Sequence, residues 1–149
     1  MMLTTESVLD SANRLRPLLL QLNRHLRHEL APLGITGGQA ALLHTIRRHP
    51  GIGVSELAAM ERMSRPGMSG YVDRMEASGL VRRVRSQHDR RRVGLEVTAA
   101  GLRMLRSART RRTAWLARRM RQLSVEQLAA LEQAIELLEA LLAVDGVGR

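Results

Sequence analysis

The polar background of the first thirty residues is crossed by Val8, Ala12, Leu15, Leu19, Leu22, Leu26 and Leu30, at spacings of three and four. That period is one face of a long amphipathic helix over residues 5–30, closed by Pro32 and Gly34. Thr36 followed by Gln39 is a capping-box pattern, and it opens a second helix from Gly37 to about Arg48, which His49-Pro50-Gly51 breaks. Two short helices follow, over 54–60 and 65–78. Ser64 is placed to cap the second of them, and Pro66 is tolerated in a first turn whose amides have no helical partner. Gly79 stands where a left-handed C-terminal residue belongs. The intervening Glu61-Arg62-Met63 has the length of a helix-turn-helix turn.

The period then shortens to two. Residues 81–85 and 92–97 are short β-rich runs, with Val93, Leu95 and Val97 alternating with Arg92, Gly94 and Glu96, and they flank the polar segment 86–91. Thr98 is placed to cap a helix from Ala99 to about Arg121. Ser124 with Gln127 opens a last helix through Leu128, Leu131, Ile135, Leu138 and Leu142 to about Val144. This order predicts a mainly α chain with a small β-hairpin wing. It is a winged helix-turn-helix over 36–98, within one domain spanning 1–149, with outer helical segments over 1–33 and 99–145.

Charge sharpens the picture. The chain carries a net charge of +10, and every basic residue is arginine. Fourteen of the arginines lie between Arg62 and Arg112 against only Asp73, Glu76, Asp89 and Glu96, so the whole excess sits in one third of the chain. Such a block on an otherwise neutral protein points to a polyanion, and here it overlies the second helix of the helix-turn-helix and the hairpin. That helix suits the major groove of double-stranded DNA, and an arginine-bearing ribbon suits the minor groove. The hairpin tip reads Asp89-Arg90-Arg91-Arg92, three like charges in a row behind an acid.

The residues that follow this logic resemble the MarR family of winged helix-turn-helix transcriptional regulators. The resemblance runs through ITGGQAALLHTI (35–46), VSELAAMERMSRPGMSGYVDRMEASGLVRR (54–83) and DRRRVGLEVTAAG (89–101). Its most specific part is Asp89-x-Arg91 followed by Leu95, Thr98 and Gly101. It implies a homodimer whose N- and C-terminal helices interlock, bound to a pseudo-palindromic operator, acting as a repressor that releases DNA on binding a small-molecule effector. It also implies that Arg91 enters the minor groove and that Asp89 holds the wing through an arginine near the strand start, with Arg83 the candidate. Asp89 serves equally as a turn former. Ser64, Arg65, Pro66, Ser69 and Gly70 fall where base and phosphate contacts lie, Arg74 is a candidate phosphate contact, and Arg90 and Arg91 carry the wing. Gly67 and Gly70 depart from the larger polar residues often found there, which thins the base readout.

Other classes fit less well. No nucleophile, base or glycine-rich phosphate loop stands out, so an enzyme is not expected. His25, His28 and Glu29 share a helix face but have no convincing third ligand, and the chain has no cysteine, so neither metal nor cofactor is expected. Arg103, Arg106, Arg109, Arg111 and Arg112 read as a solvated face. Trp115 reads as packing, and an interior almost free of aromatics bears no signature of a particular ligand. No apolar run is long enough for a membrane span and the N-terminus lacks a signal-peptide pattern, so a cytoplasmic location is expected. A sequence-neutral architectural DNA binder would also be basic, but its charge would spread over the whole surface.

Overall fold

A computed structural model describes residues 4–144. The predicted boundaries at 1–3 and at 145 lie outside the described residues. The chain groups into two compact units, one through Arg112 and the other from Thr113 onward.

In the first unit, α1 spans Thr5–His28, and Thr4 Oγ1 accepts from the Ser7 amide at its start. Pro17 lies inside α1, where it removes one rung of the hydrogen-bond ladder. The helix stops earlier than its apolar period suggests. Leu30 leaves the stripe for the core at 1% exposure, and a 3-10 turn over Ala31–Leu33 ends on left-handed Gly34. α2 (Gly37–Arg48) begins with the full capping box: the Gln39 amide donates to Thr36 Oγ1 at 3.1 Å and the Thr36 amide to Gln39 Oε1 at 3.0 Å. α3 (Val54–Met60) and α4 (Arg65–Ala77) follow. Arg62 takes the left-handed conformation, φ 53°, in the turn between them. Leu43, Ile46, Leu57, Met68, Val72 and Met75 form the centre of the core beneath these helices.

β1 (Val81–Arg85) and β2 (Val93–Val97) pair antiparallel, with Arg83 opposite Leu95. The chain just before α3 adds a bridge, in which the Gly51 amide donates to the Leu95 carbonyl and the Leu95 amide to that of Ile52. This contact alters the alternation expected in β2. Leu95 is fully buried, Val93 is exposed at the tip end of the strand, and Gly94 is buried because the Gly51 backbone lies where a side chain at 94 would project.

α5 runs over Ala99–Met120. Its start is locked to the end of α4. The Thr98 amide and hydroxyl donate to the Leu80 and Gly79 carbonyls, and the Gly101 amide donates to Thr98 Oγ1. A Cβ at Gly101 would strike the Leu80 carbonyl and Val97 Cγ1. A helical glycine-to-alanine change normally gains about 0.5–1 kcal/mol. Here backbone must shift, and overpacking of that kind costs about 1–3 kcal/mol. Gly101→Ala is therefore expected to lower the urea midpoint instead of raising it.

In the second unit, α6 (Val125–Val144) opens with reciprocal Ser124 and Gln127 hydrogen bonds of 3.2 and 3.0 Å. Trp115 is buried, with the Arg119 guanidinium 4.4 Å above its ring. Neither α1 nor α6 buries any residue. Val8, Leu15, Leu18, Leu19 and Leu22 are exposed on α1, as are Ile135, Leu137, Leu141 and Leu142 on α6.

Candidate nucleic-acid interface

The second helix of the helix-turn-helix is α4, and Ser64 caps it, its Oγ accepting from the Gly67 amide at 3.2 Å. Arg65 and Pro66 occupy the first turn and are exposed, while Ser69 and Gly70 are half-buried one turn on. Met68, Val72 and Met75 anchor the opposite face in the core, which fixes the rotation of the helix. Arg74 lies over the Tyr71 ring, 4.8 Å from its centroid.

Arg83 does not reach Asp89, contrary to the expectation from the sequence. Its guanidinium forks between Asp73 Oδ1 at 2.8 Å and Glu76 Oε1 at 2.6 Å, tying β1 to α4. Asp73 and Glu76 stand one turn apart on α4, at the spacing a two-pronged guanidinium can span, so both prongs are taken. The hydrogen bond to Asp73, more than any other contact, raises the Arg83 pKa above its already high value, so the cation stays charged throughout. Arg82 pairs with Glu96 across the hairpin at 2.8 Å.

Asp89 plays the local role. Its Oδ1 accepts from the Arg91 amide at 3.0 Å, and the Arg92 amide donates to its carbonyl at 2.9 Å. Ser86 closes the other side by accepting from the His88 and Asp89 amides. An aspartate ahead of three arginines thus folds the tip that presents them. Among the described residues, no carboxylate pairs with Arg85, Arg90, Arg91 or Arg92. Between this wing, the start of α3 and the first turns of α4 runs an open groove of about 910 Å³; Arg65, Ser69, Arg85, His88 and Arg91 line it, and Glu56 of α3 does so too. The structure thus brings Arg65, Ser69 and Arg91 to one concavity, with Ser64, Pro66 and Gly70 beside it on α4 and Asp89 and Arg90 at the wing tip.

The arginines of α5 divide. Arg103, Arg106 and Arg109 are exposed as expected. Arg111 and Arg112 correct the expectation of a wholly solvated face. Arg111 Nε donates to the Glu29 carbonyl at 2.8 Å, satisfying the end of α1, and Arg112 Nε donates to the Ala108 carbonyl. Among the described residues no three His, Asp or Glu side chains gather as a metal would need, and no helix is long and apolar enough to cross a membrane.

Comparison with known proteins agrees with this geometry. Residues 33–92 match the MarR family model. An HTH-type transcriptional regulator of Mycobacterium tuberculosis is 29% identical over 138 residues, 90% of this chain and 96% of the relative. The crystal structure of a candidate transcriptional regulator from Pseudomonas aeruginosa superposes with a TM-score of 0.80 at 32% identity, covering 93% of this chain and 97% of that one. A MarR family protein from Bacillus stearothermophilus gives 0.77 at 25% identity, over 95% and 99% of the two chains. A capped second helix, a wing tip whose arginines pair with no described carboxylate, and these relatives converge, and the chain belongs to the MarR family of winged helix-turn-helix, DNA-binding transcriptional regulators.

Proposed function

We propose that the chain acts in the cytoplasm as a homodimeric, ligand-responsive repressor on a pseudo-palindromic operator. The observation that carries the DNA part is the shared groove, which has the exposed start of α4 on one side and, on the other, wing arginines that pair with no described carboxylate. In this reading Arg65, Pro66, Ser69 and Gly70 meet the major groove, Ser64 and Arg74 meet phosphates, and Arg91, with Arg90 beside it and Asp89 shaping the turn, enters the minor groove. The exposed apolar faces of α1 and α6 support a second copy as the missing cover. A two-fold pair presents two recognition helices to successive major grooves, with half-sites about 10–11 bp apart. The family resemblance alone supports control by a small-molecule effector.

Arg91→Ala is expected to weaken operator binding by about 1–3 kcal/mol. Arg109→Ala removes the same charge from an exposed position on α5, away from the groove, and should cost far less. Fluorescence anisotropy with a labelled operator at several salt concentrations distinguishes them. Affinity should fall steeply with salt, because neutralised phosphates release counterions. Equal losses at both arginines would mean that bulk charge drives binding, and a flat salt response would remove DNA as the partner.

A further inference from the structure

The recognition helix carries few side chains able to read a base edge. Its outer side shows Arg65, Pro66, Asp73, Arg74 and Ala77 exposed and Ser69 half-buried, and Gly67 and Gly70 add nothing. α4 holds no Asn or Gln, the residues that grip adenine through two hydrogen bonds. Asp73 has the chemistry to accept from cytosine but is held by Arg83 at 2.8 Å. Arg74 is drawn over Tyr71. Among the described residues of α4, that leaves Arg65 as the one long donor side chain with no ion-pair or ring partner. It stands in the first turn, the part of a recognition helix that meets base edges.

We propose that direct readout in each half-site reduces to one guanine gripped by Arg65, beside a thymine methyl packed on Pro66, and that the wing arginines read the remaining preference as minor-groove width. The inference rests on the DNA-binding reading above and narrows it to a class of operator. Arginine matches the O6 and N7 acceptors of guanine with two hydrogen bonds, and an apolar ring suits the thymine methyl. Gly70 contributes by omission. A Cβ there would meet nothing nearer than Arg74 Nη1 at 3.5 Å, so the protein interior does not demand glycine, and its absence of side chain lets the α4 backbone approach the bases. On the wing, Arg90, Arg91 and Arg92 stand together with no carboxylate partner among the described residues, and narrow A·T-rich minor grooves concentrate the negative potential that draws arginine.

Enrichment of random duplexes with the full-length protein should return one strongly selected G·C pair per half-site, with A·T-rich segments under the wings. 7-Deazaguanine removes the N7 acceptor and leaves base pairing and the minor groove intact. At the selected guanine it should weaken wild-type binding several-fold, less than the roughly 5- to 150-fold span of a whole bidentate contact because O6 still accepts, and leave Arg65→Ala binding unchanged. 2,6-Diaminopurine in the A·T segments adds an amino group to the minor groove alone, and should weaken wild type while sparing Arg91→Ala. Arg65→Lys keeps the charge but not the planar fork, so it should weaken guanine preference less than Arg65→Ala does, with its salt dependence intact. Selection of several major-groove bases that persists in Arg65→Ala, or indifference to 7-deazaguanine, would overturn the inference and leave the regulator reading standing. A pool in which no sequence is enriched would defeat both.

Discussion

A protein with Leu15, Leu19 and Leu22 all changed to glutamate is expected to be monomeric and to bind its operator roughly 10²- to 10⁴-fold more weakly, the range over which linking two binding modules acts. These leucines fall on one face of α1 and are 37%, 44% and 43% exposed in the single chain. α1 buries none of its residues, so the substitutions leave the winged helix its core. Their cost appears only where a second copy covers them, because each glutamate would then lose its hydration in an apolar contact. Substitution is a cleaner test than deleting residues 1–30, since Leu30 belongs to the core and Glu29 holds Arg111. Light scattering should give the 16.6 kDa chain mass for the variant and twice that for the wild type. A monomeric wild type, or a variant that keeps full affinity, would contradict the account.

The second large effect is expected at Arg83, which pairs with Asp73 and Glu76 and not, as the family resemblance implies, with Asp89. Its side chain and those of Asp73 and Glu76 are partly exposed, so the tie adds little to global stability. Its weight falls on function. Arg83→Ala frees the wing strand from the recognition helix and uncovers two carboxylates beside the phosphates. Like-charge juxtaposition of that kind should lower operator affinity roughly 10- to 100-fold. Adding Asp73→Asn and Glu76→Gln should recover the part due to charge, while Arg83→Lys, which cannot fork, should recover less than the wild-type contact supplies. Unchanged affinity in Arg83→Ala, with the urea midpoint also unchanged, would show that the tie positions nothing.

The difference between Arg83 and Ser64 shows what a sequence discloses. Ser64, Thr36 and Ser124 bond to amides three residues away, and those partners can be read directly from spacing. The element order was legible for the same reason, because period and caps are local. Arg83 lies seven and ten residues from its partners, across the Gly79 turn, where no fixed spacing links a strand residue to a helix residue. The i, i+3 pair of acids on α4 was the available signal. Arg111 is further still, 82 residues from the Glu29 carbonyl it satisfies, and nothing in its run of arginines marks it. Alternation also does not show that Gly94 is buried, because the Gly51 backbone covers the face expected to be open.

The central claim is that a placed helix and wing, not bulk positive charge, choose the DNA. Competition of a labelled, selected operator against unlabelled operator and unlabelled random duplex, at physiological salt, tests it most directly. The account predicts that random DNA is at least about 10³-fold the weaker competitor, the lower end for specific regulators. Competition by random duplex within a few-fold of the operator would contradict it, and would make the arginine block of residues 62–112 a sequence-neutral grip on the backbone.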